Sequence, residues 1–343
     1  MLPPEARPDE RYRISVIVPN RNGAETIGRC LESLFASEHD SFEVIVVDDN
    51  SGDNSVAIIK QFPCKLVELT SHAGAASARN HGADNSQGDI LFFTDADCLV
   101  QPNTLQIAEK ASLKHGPLVI VGGTYTCRPA DDSFFSLFQS VFINYSELKY
   151  LNSPDYIATH AMVAHASVFR ISGGFKEDFL PILEDVEFSH RLRREGYKLR
   201  MVDHLQVKHV FNYTLGKSFR NAYTKSRFWV IYSLLNRDLF KDSGTASIEL
   251  KINVLFYCLL LPLLVAQLLS LGNIPVAALL LLVGINTVVN FRLMLLFSRT
   301  GGPLFGMLAS LYYMLAYPLA VGVGAFSGLL DRKKPSIEKN YSW

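Results

Sequence analysis

Residues 13–35 read RISVIVPNRNGAETIGRCLESLF and join an apolar run, a polar loop and an amphipathic segment. The run 14–18 predicts a buried strand that ends at the polar loop 19–23. Apolar residues then recur at helical spacing on one face, at Ile27, Cys30, Leu31, Leu34 and Phe35. The order strand, loop, helix indicates an α/β protein with a parallel sheet.

The same pattern recurs once further along the chain, and a third strand also ends at polar residues. Residues 42–55 read FEVIVVDDNSGDNS, which predicts a strand over 42–47, an acidic turn over 48–51 and a helix that begins near Ser55. Residues 89–102 read DILFFTDADCLVQP, and the apolar run 90–93 predicts a strand buried on both faces. Ligands of such sheets bind beyond the carboxyl ends of the strands, so we expect the loops 19–23, 48–51 and 95–97 to gather there.

Two carboxylates, Asp95 and Asp97, end the third of these strands. If the extended chain persists through Thr94, both side chains lie on one side of it. Two unpaired carboxylates at that distance repel each other and need a cation, a proton or water. An isolated D-x-D is also compatible with a solvated loop, and only the company of the other strand ends favours a site.

Composition excludes several classes of protein. The chain has 343 residues with 33 basic and 33 acidic side chains, which does not indicate a nucleic-acid binder. The five cysteines lack C-x-x-C spacing, so neither a zinc site nor a disulfide framework is expected, and a reducing compartment fits. Residues 1–12 are polar and Pro-rich without an apolar signal segment, and we expect a flexible N-terminus.

The region 248–330 is different in character and predicts transmembrane helices. It holds three apolar runs, 252–271, 274–297 and 304–330, each near or above the ~20 residues that a membrane span requires. Buried core helices are the alternative, and Arg292 weakens the second run unless it reaches the interface. We expect a multi-pass protein of the inner membrane with a cytoplasmic catalytic domain and a short tail, 331–343.

Residues 216–247 precede the first run and mix basic with aromatic side chains. This composition favours an amphipathic helix in the headgroup layer, in contact with membrane lipids. An ordinary surface helix is the alternative.

Four segments together carry a resemblance to a known family. They are SVIVPNRNGAETIGRCLESL, VIVVDDNSGD, GAASARNHGADNSQGDILFFTDADCLVQP and GGFKEDFLPILEDVEFSHRLRREGYKL. In this order they resemble the successive signatures of family 2 glycosyltransferases with the GT-A fold. The resemblance implies a Rossmann-like mixed sheet over residues 13–215, a nucleotide-sugar donor with UDP, GDP or dTDP, and a bound Mg²⁺ or Mn²⁺.

The resemblance also implies roles for particular residues. The donor base and ribose are expected at Asp49, with Asp48 beside it and Pro19 and Asn20 on the base, while Arg79 and Asn80 approach the nucleotide. Asp97 is expected to bind the metal ion, which stabilises the leaving diphosphate, and Asp95 to meet the ribose, the metal or a metal-bound water.

Activation of the acceptor is assigned by the same resemblance to Asp185, with Glu184 orienting donor or acceptor. The sequence after Pro181 predicts a helix that runs to Glu195 and stops at Gly196, with Phe188 and Leu192 facing inward. Both acids then lie near the N-terminus of this helix. Acids that only complement the helix dipole remain the alternative.

Three histidines have weaker signals. His209 follows the predicted strand 205–210 and is a candidate to complete the metal or diphosphate site. His160 and His165 lie before GGF, and we expect them to be packed or exposed and not catalytic.

The predicted activity is inverting, metal-dependent transfer of one sugar to a lipid-linked or glycolipid acceptor in glycan or cell-envelope polysaccharide synthesis. Single transfer is favoured because KSRFW at 225–229 stands where processive relatives have Q-x-x-R-W. The alternatives are a polyprenyl-phosphate sugar synthase, a nucleotidyltransferase and a membrane scaffold without enzymatic activity.

Overall fold

The protein divides into two compact units, of which the first contains the sheet. The computed structural model describes residues 14–178, 180–269 and 276–331. Of these, 14–131 and 147–211 belong to the first unit, and 132–146 and 212–331 to the second. Residues 132–146 thus group with the helical unit although they lie inside the segment 13–215. The expected flexible N-terminus and the tail beyond Asp331 lie outside the described residues.

Eight strands form one sheet within the described part of the first unit. They are β1 Ile14–Asn20, β2 Phe42–Asp48, β3 Lys65–Glu68, β4 Ile90–Phe93, β5 Cys98–Val100, β6 Val119–Tyr125, β7 Met162–His165 and β8 Lys198–His209. The helices of this unit are α1 Ile27–Phe35, α2 Ser55–Ile59, α3 Ala75–Asp84, α4 Thr104–His115, α6 Ala166–Ile171 and α7 Glu184–Arg194.

The sheet is parallel in its first half and mixed in its second. Its order is β3-β2-β1-β4-β7-β6-β8-β5. The first four of these strands pair in parallel, whereas β7 is antiparallel to both β4 and β6. At the far edge β8 is parallel to β6, and β5 is antiparallel to β8. The observed sheet therefore has the mixed α/β character that the resemblance implied.

A turn follows β4 and separates the two carboxylates. Strand β4 ends at Phe93 and the chain turns at Ala96 and Asp97, where the amide of Cys98 donates to the Asp95 carbonyl at 3.0 Å. The turn allows β5 to leave β4 and to pair with β8 at the other edge. Asp95 and Asp97 are consequently brought to different partners.

An aromatic core fixes α7 against the sheet. The ring of Phe93 in β4 lies 5.1 Å from that of Phe169 and 5.3 Å from that of Phe175, measured between centroids. Phe175 lies 4.9 Å from Phe188, and Phe188 and Leu192 are the inward residues predicted for α7. Burying each such side chain contributes about 1.5–3 kcal/mol, so this cluster holds the start of α7 near the end of β4.

The second unit is helical. Its helices are α5 Phe134–Glu147, whose last residue belongs to the first unit, α8 Leu215–Asn236, α9 Ile248–Leu268, α10 Val276–Leu311 and α11 Tyr317–Leu330, with a π-helical turn at Tyr312–Ala316. Gly302 has a φ of 87° and interrupts α10 immediately before Pro303. The chain is helical over 276–301 and again over 303–330. The break at Gly302 therefore lies between the second and third apolar runs.

Among the described residues, one helical stretch, Leu280–Leu330, is long and apolar enough to cross a membrane by length and composition. The first run, 252–271, extends past Leu269 into residues outside the described ranges.

Helix α8, which holds most of the basic and aromatic segment 216–247, packs tightly on α11. A Cβ on Gly324 would lie 2.3 Å from the carbonyl oxygen of Tyr223, and one on Gly328 would lie 2.5 Å from that of Arg227. Arg227 also pairs with Asp331 at 2.9 Å. Small residues four apart allow two helix backbones to approach closely, and Gly324 and Gly328 provide this contact.

Candidate active site

Strand pairing brings His209 to the D-x-D turn. Cys98 and His209 lie directly opposite each other in the antiparallel pair β5–β8, and the amide of Val210 donates to the Asp97 carbonyl at 2.8 Å. As a result, Nε2 of His209 lies 3.3 Å from a carboxylate oxygen of Asp97. His209 therefore lies beside Asp97, and its role in a metal or diphosphate site stays a prediction.

Asp97 offers a carboxylate that solvent and ligands can reach. Its side chain is 40% exposed, while that of His209 is 13% exposed. Desolvation and the neighbouring Asp95 carboxylate raise the pKa of Asp97, and His209 acts in the opposite direction. A carboxylate with a raised pKa is one that a cation would stabilise in its charged form.

Asp95 is held by a buried arginine. The guanidinium of Arg79 in α3 donates a hydrogen bond from one nitrogen to Asp95 at 2.7 Å and from another nitrogen to Glu184 at 2.5 Å. Burial opposes ionisation of Asp95, but Arg79, His160 and His209 together hold its pKa below the usual value. Arg79 therefore joins the end of β4 to the first turn of α7, which places Asp185 in the same region.

Glu184 and Asp185 are the first two residues of α7, as expected. The residue before them, Leu183, has a left-handed backbone with a φ of 76°. Residues with a β-carbon rarely adopt this conformation, and here it sets the direction in which the helix starts. Glu184 is committed to Arg79, whereas Asp185 is partly exposed and accepts a hydrogen bond from the amide of Val186 at 2.8 Å.

The predicted nucleotide residues at the end of β1 and β2 form an internal network. The side chain of Asn20 donates a hydrogen bond to the Asp48 carboxylate at 2.7 Å. The same carboxylate accepts hydrogen bonds from the hydroxyl of Ser51 at 2.6 Å and from the Ser51 amide at 2.9 Å. Pro19 lies beside Asn20 and pairs in register with Val47. These contacts bury Asp48 and fix the conformation of the loop 48–51. Asp48 would therefore influence nucleotide binding by positioning the loop backbone.

Asp49 fixes the loop that follows β3. It accepts the amides of Ala73 at 2.7 Å and Gly74 at 2.9 Å, and an oxygen lies 2.7 Å from Nδ1 of His72. Sequence reasoning missed His72, although its place just before the G-A-A-S-A-R-N segment was a usable signal. His72 and Asp49 form one polar pair beside the strand ends.

Asn80 is engaged elsewhere. Its amide group donates to the Phe175 carbonyl and to Glu177, both at 2.8 Å, and accepts the amide of Phe175 at 2.9 Å. In these contacts Asn80 braces the loop before α7, and its approach to the nucleotide stays a prediction.

An aromatic stack supports His209 from behind. Its ring stacks on Phe211 with centroids 3.8 Å apart and meets the edge of Tyr125 at 4.9 Å. Tyr125 in turn stacks on His160 at 3.9 Å, and His160 pairs with Glu147 at 3.3 Å. Sequence reasoning missed Tyr125, Phe211 and Glu147 because only the fold brings them together. His160 is packed, as expected, and His165 is a partly exposed residue at the end of β7.

The donor set at Asp97 fits a divalent cation. One carboxylate and one imidazole converge with the thiol of Cys98, and their ligand atoms all lie within 4.8 Å of one another. Two carboxylates on the single guanidinium of Arg79 leave this region negatively charged, which also favours a cation. Asp97 and His209 are the residues that would hold Mg²⁺ or Mn²⁺, with Asp95 beside them.

Comparison with known proteins relates the first part of the chain to a family of glycosyltransferases. The model of the family described as Glycosyl transferase family 2 matches residues 15–172. The chain is 26% identical over 162 residues to the glycosyltransferase GlyA of Streptococcus pneumoniae serotype 4, covering 44% of this chain and 23% of GlyA. It is 34% identical over 96 residues to the succinoglycan biosynthesis protein ExoO of Rhizobium meliloti, covering 27% of this chain and 28% of ExoO.

The fold is found in a solved structure as well. The mannosyltransferase PcManGT of Pyrobaculum calidifontis, in complex with GDP-Man and Mn²⁺, matches with a TM-score of 0.56 at 18% identity, covering 95% of this chain and 89% of that one. This likeness concerns the fold, and the chain spans less than half the length of the first curated relatives it matches. Residues 15–172 are therefore similar to the glycosyltransferase family 2 model, and their sheet belongs to a fold that this mannosyltransferase structure also has.

Proposed function

We propose that the protein is an inverting, metal-dependent glycosyltransferase that moves one sugar from a nucleotide-sugar donor to a lipid-linked or glycolipid acceptor. The observation that carries the proposal is the bridge that Arg79 makes between Asp95 and Glu184. It joins the D-x-D turn, which is suited to a diphosphate and its cation, to the N-terminus of α7, which carries a candidate base.

The donor half of the proposed site lies at the strand ends. A divalent cation held by Asp97 and His209 would stabilise the negative charge of the leaving diphosphate as a Lewis acid. Asp95 is kept ionised by Arg79 and is placed to accept a hydrogen bond from the donor ribose or from water. The loops shaped by Asp48 and Asp49 are the proposed seat of the nucleoside.

The acceptor half is assigned to Asp185. A sugar hydroxyl is a poor nucleophile until its proton is removed, and Asp185 is the partly exposed carboxylate next to the anchored Glu184. Glu184 is the positioning residue in this proposal because Arg79 holds its carboxylate.

The helical unit supports an acceptor with a lipid part. A helical stretch, Leu280–Leu330, is apolar enough for a membrane, and many of its large apolar side chains are exposed. We propose a membrane-bound enzyme with its catalytic domain on the cytoplasmic side, acting in glycan or cell-envelope polysaccharide synthesis.

The experiment that tests the function is a donor screen. Membranes containing the protein are incubated with radiolabelled UDP-, GDP- and dTDP-sugars, with and without Mn²⁺, and label is followed into the lipid phase. Label in a glycolipid with a hydroxyl linkage supports the proposal, whereas a sugar linked to a lipid phosphate indicates a polyprenyl-phosphate sugar synthase. Incorporation of the nucleotide itself would indicate a nucleotidyltransferase, and no incorporation from any donor would count against an enzyme of this class.

A further inference from the structure

Cys98 lies at the proposed metal site, although the roles assigned above do not use it. It follows Asp97 directly and faces His209 across the β5–β8 pair, so both side chains project from the same face of the sheet. Its sulfur lies 3.8 Å from an oxygen of Asp97, in position to donate its proton to that carboxylate. The thiol is fully buried, so its position is set by packing.

The three ligand types together suit a different cation from Mg²⁺ or Mn²⁺. Hard cations take oxygen ligands and gain nothing from sulfur, whereas thiolate and imidazole favour Zn²⁺. Zn²⁺ also binds nitrogen and sulfur sites more tightly than Mn²⁺ in the general affinity order of divalent metals. Ligand atoms within 4.8 Å of one another need only small side-chain movements to reach a common ion.

We propose that Asp97, Cys98 and His209 form a three-ligand site for a thiophilic divalent cation, specifically Zn²⁺, that overlaps the position of the activating ion. Binding breaks the S–H bond of Cys98, forms a Zn–S bond and releases the proton to water. Three protein ligands leave a fourth position open to water or a phosphate oxygen. The inference rests on the geometry of these residues and is independent of the transferase activity.

Cobalt provides the direct test, because a thiolate ligand gives Co²⁺ a charge-transfer absorption that oxygen and nitrogen ligands do not. The full-length protein in detergent is freed of metal with a chelator and titrated with Co²⁺ in the absence of nucleotide. We expect the charge-transfer band to appear and to disappear when one equivalent of Zn²⁺ is added. Absence of the band would overturn the proposal.

Variants then identify the sulfur. Cys98→Ser is expected to abolish the band and to weaken Zn²⁺ binding, measured against a chromophoric chelator, by at least about 10–100-fold, the range found even for residues that only support a ligand. Mn²⁺ binding, measured by electron paramagnetic resonance, should change far less. The matched control is Cys30→Ser, another fully buried thiol, whose sulfur instead lies 3.6 Å from the Asp95 carbonyl.

The control should keep both the band and the Zn²⁺ affinity. A band that persists in Cys98→Ser, or that is lost only in Cys30→Ser, contradicts the assignment. Circular dichroism verifies the fold of each variant, and Cys98→Ala replaces a serine variant that does not fold. X-ray absorption of the unaltered Zn²⁺ protein needs no variant: a sulfur neighbour at about 2.3 Å is expected, and a shell of oxygen and nitrogen alone would refute the site.

Discussion

Arg79 shows how a single residue organises the candidate site. Its guanidinium is buried and shared by Asp95 and Glu184, which raises its own pKa further above an already high value. Buried ion pairs add little net stability, but removing one partner leaves an uncompensated charge that costs about 3–5 kcal/mol. The arrangement is therefore best understood as positioning two carboxylates, one on each side of the proposed reaction.

Asp97→Asn should abolish metal-dependent donor binding. The amide keeps the shape of the side chain but removes the charge on which a hard cation depends. With UDP, GDP or dTDP and Mn²⁺, the native protein should gain about 2.7 kcal/mol of stability at a ligand concentration 100 times Kd, and the variant should gain none. Thermal unfolding measures this difference.

The exposed Asp203→Asn is the control for Asp97→Asn and should behave like the native protein. An undiminished Mn²⁺-dependent shift in Asp97→Asn would remove that residue from the metal site.

Asp185→Asn should separate catalysis from binding. A general base contributes roughly 10²–10⁴-fold to rate, so kcat should fall by about 10²-fold or more while donor affinity stays close to native. Glu184→Gln serves as the contrast, because loss of its charge also disturbs Arg79 and should affect stability and donor binding. If donor affinity fell in step with the rate in Asp185→Asn, Asp185 would be a binding residue.

His160 should make stability depend on pH. Burial by itself lowers the pKa of His160, but the Glu147 carboxylate, together with Asp95 and Asp185, raises it above 6.5. The folded protein thus binds the proton more tightly than the unfolded chain. The stabilisation is fully present below pH ~6.5, the pKa of an unperturbed histidine, and is lost as pH rises through the raised value.

The measurement compares unfolding midpoints of native protein and His160→Gln from acid to alkaline pH. The gap between them should be largest at low pH and shrink as pH rises, and the same trend should be weaker when Glu147→Gln is the background, because Asp95 and Asp185 remain. His204→Gln, which alters a largely exposed histidine, is the control. A gap that is constant with pH would mean that His160 is neutral in the fold.

At the scale of elements, local patterns were sufficient where a strand or helix has one buried face. The start of α1 at Ile27, the bounds of β4 and the inward residues of α7 followed from periodicity alone. The turn at Asp97 did not, because it depends on the pairing of β5 with β8, which are far apart in sequence. Asp97 and His209 were candidates from the sequence, but Cys98 was missed as a member of their cluster, since spacing rules for cysteines detect only ligands that are close along the chain.

The contact of α8 with α11 provides a prediction at this scale. Gly324→Ala should destabilise the helical unit by about 1–3 kcal/mol, because the new Cβ would overlap the backbone of Tyr223 and overpacking costs that much. Gly322→Ala on the same helix is the matched control, since its Cβ would meet only Val254 at 3.5 Å. The control should be neutral or slightly stabilising, because alanine favours a helix over glycine by about 1 kcal/mol.

Thermal unfolding in detergent compares the two variants. Equal midpoints would mean that the approach of α8 to α11 is not tight in solution, and the basic segment 216–247 would then be free to lie alone in the headgroup layer.

At the scale of the whole molecule, the sequence predicted a soluble enzyme domain followed by apolar helices. Composition alone did not predict which helices belong to each of the two units. Helix α5 lies between β6 and β7 in sequence, yet its residues up to Ser146 belong to the helical unit. The reason is its apolar surface: Phe138 packs on Phe297 and Tyr312 at centroid distances of 5.4 and 4.8 Å. Aromatic contacts made far along the chain therefore decide where this helix belongs.

The number of membrane crossings is the last prediction. Helical residues 276–301 measure roughly 39 Å at ~1.5 Å per residue, which is enough for one bilayer, and the break at Gly302 allows the chain to turn before the next helix. With a cytoplasmic catalytic domain, three crossings place the tail outside the cell. Arg332, Lys333 and Lys334 at its start favour the cytoplasm, but a few charges only bias orientation.

We therefore expect a cysteine at Ser342, in a chain with Cys258→Ser, to react with a membrane-impermeant maleimide in intact cells. A cysteine at the exposed Asp203 is the cytoplasmic control and should react only after the membrane is opened. Protection of the Ser342 position in intact cells would mean that one apolar run does not cross.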